Sequence, residues 1–344
     1  MVVVGGITRL TLSGLSITKW NPVIGVIPPV SSAQWAAAFQ HYQQVPEYRA
    51  IHYGMSLADF KAIYFWEYAH RLLGRLIGLA FAVPLVWFWL RGRLPRRLIP
   101  ALVGILALGV AQGLLGWYMV ESGLADRVEV SQYRLVAHLT LALAIYGLIL
   151  WTALGLAFPS PSDNVGTPKA PSLPSPACGG RLGWGWRRAA EAVIVLVGQT
   201  IAAGGFVAGT RAGLTYNTFP LMDGRFVPAG YAQLEPFIRN WFENVPAVQF
   251  DHRLLAETTV ASVIILWLTG WRVALPRPAR LALHALLAIA LLQISLGIST
   301  LLLVVPIPLA AAHQAGAVLL LTAAIVLRHR LRQPDNAAST VDPD

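Results

Sequence analysis

Apolar residues run through this chain in long blocks separated by short polar or basic stretches. The blocks fall at Phe65–Leu90, Leu98–Val120, Arg134–Phe158, Ala189–Ala208, Val248–Trp271, Leu281–Val305 and Pro308–Leu327. A helix needs about 20 predominantly apolar residues to cross the hydrocarbon of a bilayer, so each block predicts one membrane span. An eighth candidate, "MVVVGGITRL", offers only about seven apolar residues before Arg9, too few to cross. It reads as part of a helix whose start is truncated or misassigned. A signal peptide would need a basic n-region and a small-residue cleavage site, and neither is present.

The composition agrees: 344 residues, 56% hydrophobic and 12% charged, describe an integral membrane protein. The expected fold is all-α, with eight transmembrane helices arranged as two pseudo-repeated four-helix bundles. A net charge of +10 raises nucleic acid as a partner, but the basic residues are placed as a topology signal instead. Arg91, Arg93, Arg96 and Arg97 follow the second span, Arg181, Arg187 and Arg188 precede the fifth, and Arg272, Arg277 and Arg280 follow the sixth. Arg328, Arg330 and Arg332 follow the last span, while acids such as Glu121, Asp126, Glu129, Asp223, Glu235 and Glu243 gather in the opposite loops. The positive-inside rule then puts both termini in the cytoplasm. The single cysteine, Cys178, falls in a cytoplasmic loop, so no intrachain disulfide or cysteine metal site forms.

Six prolines between Pro159 and Pro176 mark a flexible cytoplasmic linker. The expected division is residues 1–158 as an N-terminal bundle, 159–187 as linker, 188–332 as a C-terminal bundle and 333–344 as a polar tail. The two bundles repeat each other in sequence. "GGITRLTLSGLS" from Gly5 aligns without a gap on "GGFVAGTRAGLT" from Gly204, and "EYAHRLLG" aligns on "QFDHRLLA". "AQGLLGWYMV" aligns on "LQISLGISTL", and "LVAHLTLAL" on "LAAAHQAGAVL". Four spans separate the copies, so both run the same way through the membrane, as a parallel repeat.

Repeat and topology together gather four of the eight histidines. His70 and His138 belong to the second and fourth spans, His252 and His313 to the sixth and eighth, and all four fall in the outer half of the membrane. Ionisable side chains at that depth face a bundle interior or a cavity. Two imidazoles facing across a four-helix bundle suit the axial positions of a haem iron, and an apolar macrocycle suits the interior. A lone membrane histidine is more often a packing residue; two pairs on equivalent helices favour ligands. Zinc fits less well, because neither half adds a third or fourth ligand beside its pair. His41 and His52 in an outer loop, and His284 and His329 toward the cytoplasm, read as ordinary surface or interface residues.

Arg71 and Arg253 follow the first histidine of each pair and suit haem propionates, an acidic partner or snorkelling to the interface. Gln112 and Gln293, late in outward-running spans, either hydrogen-bond within the site or bridge helices. The halves differ three residues before the first histidine, with Glu67 in one and Gln249 in the other. Positions i and i−3 share a helix face, so Glu67 is expected to look into the cavity of His70 as a proton-exchanging carboxylate; a structural Glu67–Arg71 pair is the plain alternative. Such asymmetry suits one catalytic bundle and one helper. A dihaem b-type electron carrier gives no reason for it, and a transporter of this kind would break its spans, where only Pro84 sits deep.

"GGITRLTLSGLSITKWNPVIGVIPP", "EYAHRLLGR", "QGLLGWYMV", "GTRAGLTYNTFPLMDG" and "FDHRLLA" resemble the motifs of the heme A synthase family, of the alphaproteobacterial and mitochondrial type. The resemblance runs from Met1 to about Arg332 apart from the linker, and "YNTFPLMDG" is its most specific part. It implies oxidation of the C8 methyl of haem O to the formyl of haem A, through hydroxylated intermediates, for use by terminal oxidases. It implies that His70 and His138 hold the substrate haem, that His252 and His313 hold a haem b that accepts or relays electrons, and that Glu67 assists the oxidation. The implied partners are haem O, a haem O synthase as its supplier, membrane lipid and an electron acceptor, with homo-oligomerisation left open. The implied location is the bacterial inner membrane. Some bacterial relatives carry a cysteine pair in the first outer loop; Ser31, Ser32 and their surroundings hold none, so no mechanism here relies on those thiols.

Overall fold

A computed structural model describes residues 1–19, 24–124, 128–159 and 181–332. Its regular elements are helices: α1 (Val2–Leu10), α2 (Ser32–Tyr42), α3 (Pro46–Ala50), α4 (Leu57–Leu90), α5 (Ile99–Leu124), α6 (Gln132–Ala157), α7 (Arg181–Gly209), α8 (Asn240–Glu243), α9 (Val245–Gly270), α10 (Arg277–Leu302) and α11 (Ile307–Arg330). Seven of the described helices, α4 to α7 and α9 to α11, are long and apolar enough to span a bilayer. The chain is therefore a multi-pass membrane protein. The nine-residue α1 takes the eighth place, packing on α4 as α7 packs on α9.

The caps explain several boundaries. Ser56 and Asp59 form a capping box that starts α4 well before Phe65. At 34 residues, α4 is about 51 Å long, so its first turns stand outside the roughly 30 Å hydrocarbon layer and support α2 and α3. The Asn244 side chain caps α9. Prolines at the first turns of α10 and α11 start those helices where no intrahelical N–H is needed. The helix α7 begins at Arg181, inside the stretch assigned to the linker. Residues 160–180, with Cys178, and 333–344 lie outside the described residues, as does Asp126.

One half consists of α1, α4, α5 and α6, the other of α7, α9, α10 and α11. The repeat extends to backbone detail: Leu12 and Arg211, counterparts just beyond α1 and α7, both adopt the left-handed conformation, with φ of 53° and 55°. The halves meet where α1 packs on α11 and α6 packs on α7. Gly6 lies against Gln314, and its counterpart Gly205 lies against Leu139, the counterpart of Gln314. The contact is thus reciprocal, which is the signature of an approximate two-fold axis between the copies. At the end of this seam just beyond α1 and α7, Glu129 pairs with both Arg9 and Arg211, and Arg9 also donates to the carbonyls of Ala208 and Gly209.

Buried apolar side chains form two main groups. One joins α7, α9, α10 and α11 with Leu143 of α6. The other caps the N-terminal half at the end where α4 begins, with Leu15, Tyr42, Val45, Tyr48, Phe60 and Val130 at its centre. Many large apolar side chains of the spans, such as Val83, Trp87 and Ile265, remain exposed; on a membrane helix that face meets lipid.

Candidate functional site

Each of the four histidines rests its ring on a glycine of a neighbouring helix. A Cβ added to Gly5 would fall 2.8 Å from Cε1 of His70, and one on Gly116 would fall 2.9 Å from Cε1 of His138. In the other half the same construction gives 3.0 Å between Gly204 and His252, and 2.8 Å between Gly297 and His313. At Gly5, Gly116 and Gly297 these separations are shorter than real Cβ atoms show, and at Gly204 a Cβ would force the ring to give by a few tenths of an ångström, so glycine best admits the ring at each place. The pairings are those of the repeat, since Gly5 and Gly204 are counterparts, as are Gly116 and Gly297. Within each half the two imidazoles are near enough for the charge of one to be felt by the other.

The second histidine of each pair is held by a glutamine from the preceding span. Nε2 of Gln112 donates to the His138 carbonyl at 2.9 Å and lies 3.1 Å from its Nδ1. Gln293 treats His313 alike, at 2.9 Å and 3.2 Å. The first histidines differ. His252 Nδ1 lies 3.1 Å from the Thr200 carbonyl, whereas His70 Nδ1 is buried without a hydrogen-bond partner among the described residues. Under the repeat the counterpart of Thr200 is Met1.

Glu67 is buried and both its carboxylate oxygens are engaged. Oε1 takes an ion pair from Arg71 at 2.6 Å, while Oε2 accepts from the Ser16 hydroxyl and the Ile17 amide at 2.7 Å each. Arg71 also donates to the Ile17 carbonyl at 3.0 Å. The same frame stands in the other half with its polarity reversed. Gln249 donates to the carbonyls of Ala212 and Thr215, and Arg253 donates to that of Tyr216, the counterpart of Ile17. Arg253 also reaches the Thr218 carbonyl and the Gln249 side chain. Asn217 adds bonds to the carbonyls of Gly213 and Leu301, so "YNTFPLMDG" forms a loop fixed by its own side chains.

A family model described as COX15-CtaA, cytochrome oxidase assembly protein, matches residues 1–325. The chain belongs to this family. Curated members of the COX15-CtaA family resemble it over nearly all its length. The protein named "Heme A synthase" of Nitrosospira multiformis is 51% identical, over 97% of this chain and 90% of its own. That of Rhodospirillum centenum is 49% identical, over 97% of this chain and 85% of its own. "Heme A synthase COX15" of Homo sapiens is 44% identical, over 96% of this chain and 79% of its own. No solved structure matches.

The donors suit the haem chemistry that this family implies. An axial ligand needs one free imidazole nitrogen, with the other commonly donating to a carbonyl that fixes the tautomer. His252 meets this description through Thr200, and His70 presents a buried ring with an unsatisfied nitrogen. The structure thus brings His70 to His138, His252 to His313, and Gln112 and Gln293 onto the second histidines. It turns Arg71 and Arg253 onto loop carbonyls, with Arg71 also on Glu67. Of the remaining histidines His41 is exposed and His284 accepts from Trp267. His329 is buried edge-on against Trp151, away from the exposed surface. His52 departs from the surface reading, since its Nδ1 is 2.6 Å from the buried Tyr42 hydroxyl. Sequence reasoning matched the paired glycines without assigning them a task, and it passed over Ser16, Thr200 and Glu47. The glycine signal was present in the repeat, because each glycine recurs in step with the histidine it seats.

Proposed function

We propose that this chain is a haem A synthase, oxidising the C8 methyl group of haem O to the formyl group of haem A. The observation that carries the reading is the duplicated pair of glycine-seated histidines in a chain about half identical to curated heme A synthases. We assign His70 and His138 to the substrate haem O and His252 and His313 to a resident haem b. That haem, when bound, supplies one-electron exchange. The work of the chain itself is to seat the four imidazoles, hold the substrate at one depth and manage protons. Glu67 is the residue assigned to the proton chemistry, and Arg71 keeps it oriented beside the first loop. The charge distribution supports both termini in the cytoplasm, and the bacterial inner membrane is the proposed location. A haem O synthase is the natural supplier.

The dihaem electron carrier remains the second reading because the histidine frame is so nearly symmetrical. It does not account for a carboxylate in one half where the other has an amide. The test is to purify the protein from cells making haem O and identify the extracted pigments. Haem b together with haem O or A is expected; haem b alone would favour the carrier. Glu67→Gln should keep its haem but lose haem A formation by about 100-fold or more, the range of positioned acid–base catalysis. Unchanged output would remove the carboxylate from the mechanism.

A further inference from the structure

Outside the membrane, α2 and α3 fold over the end of α4 and enclose a second acid, Glu47, which is 3% exposed. The Tyr42 hydroxyl, with its side chain fully buried, is 3.1 Å from Glu47 Oε2 and 2.6 Å from Nδ1 of His52. His52 is only partly buried, so the string ends at the outer solvent. At its inner end Leu15 packs in the same buried group as Tyr42 and Tyr48, and the next residue, Ser16, donates to Glu67 Oε2 at 2.7 Å. Arg9 from α1 and Glu129 from the segment before α6 also act on Glu47, and the end of α5 packed against α3 carries the exposed Glu121. Burial pushes the Glu47 carboxyl up to about 8, so it holds its proton near neutrality, and burial lowers that of His52.

We propose that Glu47, Tyr42 and His52 form the outer leg of a proton exit route that begins at Glu67. The inference rests on the functional reading above, in which oxidation of the methyl group releases protons along with the electrons taken by the membrane acceptor. The step is a concerted shift without net redox change. The O–H bond of protonated Glu47 breaks as its proton passes to the Tyr42 oxygen, and the hydrogen of Tyr42 passes to Nδ1 of His52. The tyrosine ends neutral, Glu47 ends as a carboxylate ready for the next proton, and the imidazolium releases its charge to the outer water. These residues relay protons and act through Glu67.

The experiment uses the full-length, haem-loaded protein. Tyr42→Phe keeps the packing and removes the relay hydroxyl; it should slow haem A formation by about tenfold or more with haem content unchanged. His52→Ala should slow it similarly, and added imidazole should restore it, which a purely structural role would not allow. Wild-type rates in both variants, or a slow His52→Ala protein that imidazole does not rescue, would overturn the proposal. Infrared titration of the carboxyl stretch separates this proposal from the functional reading, because it needs no turnover. The band removed by Glu47→Gln should titrate near pH 8 and move in Tyr42→Phe and His52→Ala. If wild-type protein makes no haem A, the functional reading fails; if the Glu47 band ignores both variants, the relay fails.

Discussion

The two halves share a ligand frame but not a degree of filling. In the apolar stretches of α4, α5 and α6 only 6% of residues are buried, against 17% in α7, 22% in α9 and α10 and 33% in α11. The C-terminal half closes a ring in which α7 touches both α9 and α11, and α10 touches both of them in turn. The N-terminal half relies on the short α1 at the corresponding place and puts its densest packing in the outer cap, around Tyr42 and Phe60. Closely similar histidine frames thus sit in differently packed halves, one of which has a carboxylate, Glu67, where the other has the amide of Gln249.

The sharpest way to break this comparison is to remove ligands one half at a time. His252→Ala or His313→Ala should abolish the haem b proposed for the C-terminal half. His70→Ala or His138→Ala should leave that haem and end haem A formation; spectra and pigment chromatography read both, and equal loss from either half would make the halves interchangeable. Next in size are the glycine seats. Gly116→Ala and Gly297→Ala should each cost about 1–3 kcal/mol by overpacking, with thermal melting as the readout and the larger loss in the tighter C-terminal half. Gln249→Glu should cost a similar 1–3 kcal/mol, because two donated bonds become a carboxylate facing the Ala212 and Thr215 carbonyls; a stable, fully haem-loaded variant would mean that the amide has no such role.

The smallest effect is confined to the outer cap. A carboxyl raised from 4.5 to about 8 on folding binds its proton more tightly in the folded state, so its contribution is fully present below the unfolded value. That contribution falls as pH rises toward about 8 and is flat beyond. Once the base-catalysed intrinsic rate is divided out, hydrogen-exchange protection over α2 and α3 should fall across this window in the wild type and stay level in Glu47→Gln. The C-terminal half should show no matching change.

Much of this was legible in the sequence because membranes simplify the problem. Apolar length announced the spans, and the GG, HR and QxxxG patterns exposed the repeat. Boundaries were harder: α4 begins at Leu57 through a cap of Ser56 and Asp59, a local polar signal that hydropathy does not register. The outer cap was illegible for another reason. Glu47 and His52 lie in a short polar stretch that reads as a loop, and only the tertiary placement of Tyr42 between them makes a buried string. Glu67 shows the opposite limit, since spacing put it near His70 but the bonds to Ser16 and Ile17 span about fifty residues.

The reciprocal seam, with Gly6 on Gln314 and Gly205 on Leu139, has the form by which two copies of one protein pair. A single ancestral half would have met itself across these faces as a symmetric dimer, before fusion freed each copy to specialise. The seam would then hold the two halves together without the covalent connection between residues 159 and 181. Severed there, the two polypeptides should still find each other when made in the same cell, and their joint recovery on one affinity tag would show it.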